Sequence, residues 1–337
     1  MSDYCLFGAK TLAALLKNLS NQMDGVRGFK TAAKDRANAG DIEFIHRMRV
    51  CARRLRVALP LFRECFYPLS PTVENDASFK RWMRAIRRLA RSLGEARDTD
   101  VQIEAIAREL EGIPPQGAAG LSRLLLRLRQ KRSALQKKVV SALDRFAESS
   151  VEEEMMSRIR LLVGQASIEN RTGKDEEGTP MERERAFASV KERIAHVMSF
   201  GELFGELLGS GDIIQLHEMR KSAKRLRYAL EVFGPVYGDK LKSHVDGMKS
   251  LQDVLGTLHD CDVWLANLPV FMEEERERTL VYQGHTRGLG PVLRGLENFA
   301  GAKRKARDTA YASFTALWEK LCQERWWENL LKDLETS

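Results

Sequence analysis

Apolar residues recur at three- and four-residue intervals along almost the whole chain, a period that suits a helix and not a strand. The period predicts helices over 6–36, 41–66, 76–93 and 118–148, and again over 182–208, 212–233, 239–255 and roughly 287–334. Two further helices open at Arg97-Asp98-Thr99-Asp100-Val101 and His259-Asp260-Cys261-Asp262-Val263. Asp41 and Asp212 stand where a short acceptor side chain caps a helix start. Gly94 and Gly256, each after a leucine, stand where glycine stops one. Pro114-Pro115 breaks the pattern before 118, and Gly164 to Pro180 is charged, glycine-punctuated and without period, the composition of a flexible linker. No strand pattern is present, which argues against a nucleotide-binding α/β sheet.

One helical segment is written twice. Residues 45–59 and 216–230 align without a gap and share nine of fifteen positions, among them His46/His217, Met48/Met219, Arg49/Arg220, Leu55/Leu226 and Arg56/Arg227. LGxxxDxDV follows each copy, at Leu93–Val101 and Leu255–Val263, so the chain is an internal duplication. At 3.6 residues per turn, Ile45, Met48, Ala52, Leu55 and Leu59 form one strip, matched by Leu216, Met219, Ala223, Leu226 and Leu230. His46, Arg49, Arg53 and Arg56, matched by His217, Arg220, Lys224 and Arg227, form a second strip about 80° wide and roughly 100° away. The apolar strip is for packing; the basic strip is left for something anionic.

The chain has 337 residues, 43% hydrophobic, 7% aromatic and 30% charged, which suits a helix-rich protein with real cores. A formal charge of +8 and a pI near 9.2 make a polyanion the first partner to consider, without separating nucleic acid from a phosphate polymer or an acidic lipid surface. Cys5, Cys51, Cys65, Cys261 and Cys322 are odd in number and lack CxxC spacing, which speaks against a disulfide framework or a zinc site and for a reducing, cytoplasmic setting. The early apolar run Leu12–Leu16 is too short to span a bilayer and lacks the cleavage pattern of a signal peptide, so no membrane association is expected.

More positive charge recurs in both halves. With Gly94 set on Gly256, Lys80 matches Lys242 and Arg87 matches Lys249, seven apart and so on one face. Arg123, Arg127, Lys131 and Lys138 follow in the first long closing helix, and Lys303, Arg304, Lys305 and Arg307 in the second. Arg and Lys exchange freely between copies, so total charge matters more than a fixed bidentate fork, which suits a flexible phosphate chain. A histidine among arginines can donate to phosphate oxygens; alone beside an apolar row it is otherwise a structural hydrogen-bonding residue. No Ser, Cys or carboxylate recurs with it in the strip, so no nucleophile–base pair is indicated. Asp98/Asp100 and Asp260/Asp262 read as caps and first-turn dipole partners. His259-Asp260 is also the HD pair of a metal-dependent phosphohydrolase, a pattern of low specificity that the first half replaces with Arg97-Asp98.

With HxxRxxx[RK]RLR and LGxxxDxDV in order in both halves, the chain resembles the conserved histidine α-helical domain (CHAD) family over essentially its whole length. The resemblance implies an all-α fold of two pseudo-twofold-related bundles, about four to five helices each: 1–164, a flexible linker at 165–180, and 181–337. It implies non-enzymatic binding of inorganic polyphosphate in a basic groove or pore, and association with polyphosphate granules and their proteins. Sulfate or phosphate is the stand-in expected in crystals, and no cofactor is implied. Its motif carries over to His46, Arg49, Arg53, Arg54 and Arg56 and to His217, Arg220, Lys224, Arg225 and Arg227, with Arg54 and Arg225 about 120° from the strip. Arg47 becomes Glu218 and Arg97 becomes His259 between copies, which gives the first half the stronger positive field. No strand-rich segment resembling the triphosphate-processing β-barrel fused to some members is present. The rival readings are nucleic-acid binding, disfavoured because the strips lack stacking aromatics while Trp318, Trp326 and Trp327 cluster at the end, and a metal-dependent phosphohydrolase.

Overall fold

The computed structural model describes residues 3–32, 39–66, 73–115, 117–169, 180–207 and 212–335. Among the described residues there are ten α-helices, two short 3-10 helices and no strand. Up to Glu169 the order is α1 (Asp3–Ala32), α2 (Ala39–Leu61), a 3-10 turn at Arg63–Phe66, α3 (Val73–Glu111), α4 (Ala119–Glu148) and α5 (Val151–Glu169). From Pro180 it is α6 (Pro180–Leu207), α7 (Ile213–Tyr237), a 3-10 turn at Gly238–Leu241, α8 (Lys242–Gln283), α9 (Gly290–Gln323) and α10 (Trp326–Glu335). The chain divides into two compact units, 1–104 with 128–182, and 105–127 with 183–337. The end of α3 and the start of α4 therefore count with the second unit.

In the first unit α1 packs against α2 and α5. The apolar strip of α2 is why: Ile45, Met48, Ala52, Leu55 and Leu59 are all completely buried. Gly8 lets α1 close on the Phe62 ring, since a Cβ there would stand 2.4 Å from Phe62 Cδ1. The Tyr4 hydroxyl donates to the Leu61 carbonyl at 2.7 Å and fastens the same end of the pair. Cys5 and Cys65 are disulfide-bonded there, with Cα atoms 5.1 Å apart. That corrects the expectation against disulfides: an odd cysteine count leaves room for one pair, and a separation of 60 residues hides it.

In the second unit α7 packs on α8, α8 on α9, and α10 on α9. Met219, Ala223, Leu226 and Leu230 of α7 are completely buried and Leu216 nearly so. Here the Tyr237 hydroxyl donates to the Arg183 carbonyl at 3.0 Å, tying the end of α7 to the start of α6, and burial pushes the phenol pKa up to about 12. The starts of α4 and α9 touch at glycines: a Cβ on Gly120 would sit 2.5 Å from the Val292 carbonyl oxygen, and one on Gly295 would sit 3.2 Å from the Gly120 nitrogen.

Several helix boundaries differ from those read off the pattern. α3 runs through Gly94 for 39 residues and α8 through Gly256 for 42, so neither glycine is a stop. Leu93, Ala96, Leu255 and Leu258 on either side are buried, and packing of that kind outweighs the roughly 1 kcal/mol that glycine costs a helix interior. Asp98, Asp100, Asp260 and Asp262 consequently lie in mid-helix and cap nothing. Asp212 does cap: its Oδ1 accepts from the Ile214 N–H at 2.8 Å. Asp41 does not stand before α2, which begins two residues earlier.

The expected linker is helical at 165–169, and 170–179 lie outside the described residues. α5 has no counterpart among the elements read from periodicity. The long closing helix of the second half is broken into α9 and α10 at Arg325 (φ 49°), just as α4 and α5 are separated at Ser150 (φ 52°).

Candidate functional site

Burial of the apolar strip orients α2, and His46 and Arg49 lie beside α3. Arg49 Nη1 lies 2.8 Å from Asp98 Oδ1, and Arg97, one residue earlier on α3, presses on His46 electrostatically. Burial, then Arg97, with Glu43 opposing, holds the His46 imidazole below its ordinary pKa. Arg49 and Arg53 are half-buried, whereas Arg54 and Arg56 are exposed.

α7 meets α8 in the same way in the second unit. His217 and His259 stand with their Nδ1 atoms 3.1 Å apart and ring centroids 4.6 Å apart. Burial first, and then Arg220, His217, Lys224 and Lys221, pushes His259 down to about 4. His217 is lowered by burial and by Lys221, against Glu218. Both rings are therefore neutral near pH 7. Arg220 and Lys224 are half-buried beside them, and Arg225 is exposed. Arg227, at the far end, is taken up by Glu231 at 3.2 Å and by the Tyr228 hydroxyl at 3.2 Å.

The aspartates of the repeated motif have a role that their sequence context conceals. Asp100 is buried on α3 and accepts from Arg132 Nε of α4 at 2.6 Å; Asp262 on α8 accepts from Arg307 Nε of α9 at 2.5 Å. Each ties the helix that faces a basic strip to the long helix behind it. Arg132 is absent from the residues singled out above, yet α4 and α9 align directly: Gly120-Leu121 on Gly295-Leu296, Arg129 on Arg304, Arg132 on Arg307 and Ser150 on Arg325, all 175 positions apart. That offset was the available signal.

The remaining basic residues fall into three groups. Lys80 and Arg87 are exposed on α3 with Arg84 and Arg91, on the helix face that also carries Asp98, and Lys80 pairs with Asp76. Lys242 and Lys249 are exposed on the corresponding face of α8, where Asp246 and Asp253 alternate with them. Arg123 and Arg127 instead surround the fully buried Glu275 of α8: Arg127 donates at 2.8 Å and Arg123 stands 3.3 Å away, with Arg278 donating at 2.6 Å. Burial alone would raise the Glu275 carboxyl, and the hydrogen bonds from Arg127 and Arg278 bring it below its ordinary pKa. Lys303 donates to Glu109 at 2.8 Å and lies over the Phe299 ring, whereas Lys131 and Arg304 are exposed.

Among the described residues no group of three or more His, Cys, Asp or Glu side chains could hold a metal ion. In the same residues no helix is long and apolar enough to cross a membrane. A family model described as CHAD domain matches residues 12–269, a span that includes both basic helices and both LGxxxDxDV motifs. Comparison with curated proteins finds no match.

Proposed function

This chain belongs to the CHAD domain family, and on that footing we propose that it binds inorganic polyphosphate along the basic strips of α2 and α7 without hydrolysing it. The observation that carries the reading is the division of labour on one helix, made twice. The apolar strip is spent on packing, and beside it Arg49, Arg53, Arg220 and Lys224 remain half-buried. Arginine and lysine held in such a position give charge-assisted contacts stronger than those of fully exposed side chains. Release of condensed counterions then adds affinity that falls as salt rises. The same proposal takes the two units as copies of one bundle, supported by the matched strips, the paired Asp–Arg ties and the matched breaks at Ser150 and Arg325.

Hydrolysis has less support. His259 Nδ1 faces another imidazole and not a carboxylate, and Arg220, Lys221 and Lys224 surround the pair, a field that repels a divalent cation. Asp100 and Asp262, the most buried carboxylates of the motif, are taken up by arginine.

Titration with polyphosphates of defined length, in competition with single-stranded RNA and with triphosphate, tests the proposal. Charge reversal of Arg49 and Arg220 together is expected to abolish polyphosphate binding with little change in thermal unfolding. Binding that survives the double change would reduce the strips to solvated faces, and preference for RNA would replace the ligand. Steady release of orthophosphate with magnesium or manganese, lost in His259→Gln, would reinstate the phosphohydrolase.

A further inference from the structure

The first unit places Arg97 where the second places His259, and only the second therefore sets two imidazoles against each other. Contact through the two Nδ1 atoms at 3.1 Å fixes what the far side of each ring can offer. One Nδ1 must carry the proton and the other must accept it. In a neutral pair the accepting ring then bears its proton on Nε2 and donates there, while the donating ring presents an Nε2 lone pair. A lone pair repels an anion. One added proton converts that lone pair into a second N–H donor and leaves the Nδ1–H···Nδ1 bond intact.

We propose that His217 and His259 form a proton-coupled subsite for a phosphate oxyanion, which takes up one proton as the anion binds. The proposal rests on the polyphosphate reading and names how that site is regulated. The charged groups around the pair are Glu218, Arg220, Lys221 and Lys224 of α7 and the neighbouring Asp260 of α8. From α9, which packs on α8, Arg307 is held by Asp262 and Lys303 by Glu109. Asp239 and Lys240, in the 3-10 turn packed on both helices, lie more than four turns from His259 along α8. Burial and the cations keep the empty pair neutral, and a bound phosphate offsets the positive field.

Linkage fixes the direction. The protonated pair exists with anion bound at pH values where the free pair is neutral, so affinity is greatest at low pH and falls as pH rises towards the pKa of the bound pair. The slope approaches about one decade in affinity per pH unit for one proton.

Isothermal titration of the full chain with medium-chain inorganic polyphosphate, at pH 6 and pH 8 in buffers of different ionisation enthalpy, reads affinity and proton uptake together. The wild-type chain is expected to bind about tenfold tighter at pH 6 and to take up a proton. His259→Arg, which copies the first unit, is expected to bind at both pH values with most of that uptake gone, and His217→Gln to lose it as well. His285→Gln, at an exposed histidine outside both strips, is expected to retain it. Uptake unchanged in both His259→Arg and His217→Gln, or abolished by His285→Gln, would overturn the subsite. Wild-type binding without uptake would overturn the coupling and leave the polyphosphate reading standing. No binding at either pH in low salt would overturn both.

Discussion

The helix pairs α2/α3 and α7/α8 use matched packing positions and different electrostatics. Ile45, Met48, Ala52, Leu55 and Leu59 are as buried as their counterparts in α7, and Asp100 and Asp262 each hold an arginine from the helix behind. Around that common frame the charges diverge. α3 presents Lys80, Arg84, Arg87 and Arg91 on the face of Asp98, and Arg97 beside His46; α8 alternates Lys242, Asp246, Lys249 and Asp253, and sets His259 against His217. A core tolerates little change in volume, whereas a solvated charge changes at small cost. The packing is therefore what the two helix pairs share, and the charges are where they differ; on the reading proposed above, that makes a permanently cationic strip in one unit and a pH-dependent one in the other.

The largest difference between the units is expected when the frame itself is cut. Asp100→Ala leaves Arg132, only 13% exposed, without its buried carboxylate, and breaking such a pair costs about 3–5 kcal/mol. Asp262→Ala should cost less, about 2–3 kcal/mol, because Arg307 and Asp262 are more accessible, at 19% and 9%. Denaturant midpoints of the two variants check the order. Asp100→Ala with Arg132→Met should recover much of the loss, since a well-packed apolar replacement of a buried pair is close to neutral. Equal, small losses in both single variants would show that the ties are surface decoration.

How far the molecule could be read from its sequence follows from the range of each interaction. The apolar strips were legible because burial leaves a 3.6-residue period, and every residue assigned to them is buried. The all-helical class followed from the same signal. The Asp100–Arg132 tie spans 32 positions and Asp262–Arg307 spans 45, and nothing local marks either; an aspartate two residues from another looks the same whether it caps a helix or bonds a distant arginine. Gly94 and Gly256 were misread because a helix stop and an open helix face use the same residue, and only the backbone tells them apart: φ is positive at Gly238, Gly284 and Gly288 and at neither of these. Arg123 and Arg127 share the period of a basic face, and the buried Glu275 that takes them up lies 148 residues from Arg127.

A smaller effect is expected from the strips themselves. Arg49→Gln and Arg220→Gln each remove one charge-assisted contact, worth about 1.5–3 kcal/mol. The stronger field on the first unit should make Arg49→Gln the more damaging, on the order of 100-fold in polyphosphate affinity at low salt against about 10-fold for Arg220→Gln. Each should reduce the slope of log affinity against log salt by about one. Fluorescence titrations across a salt series provide both numbers. Equal losses would break the functional asymmetry while leaving the shared frame intact.

The smallest effect carries the opposite sign. Gly94 sits one turn before Asp98, and Gly256 one turn before Asp260, so each lies on the helix face beside a basic strip. A Cβ at Gly94 meets nothing within 4 Å, and one at Gly256 comes only to 4.0 Å from Arg220 Nε. Neither glycine is required by its backbone, and alanine removes the entropic penalty of glycine in a helix interior. Gly94→Ala and Gly256→Ala should therefore each stabilise the chain by about 0.5–1 kcal/mol, read as a rise in denaturant midpoint. At both positions the missing side chain leaves open space beside a basic strip. Leucine at either position fills that space while remaining a good helix former, so Gly94→Leu and Gly256→Leu should retain stability and weaken polyphosphate binding, Gly256→Leu more than Gly94→Leu because its side chain starts beside Arg220. Unimpaired binding by both leucine variants would mean that the anion approaches the strips from another side.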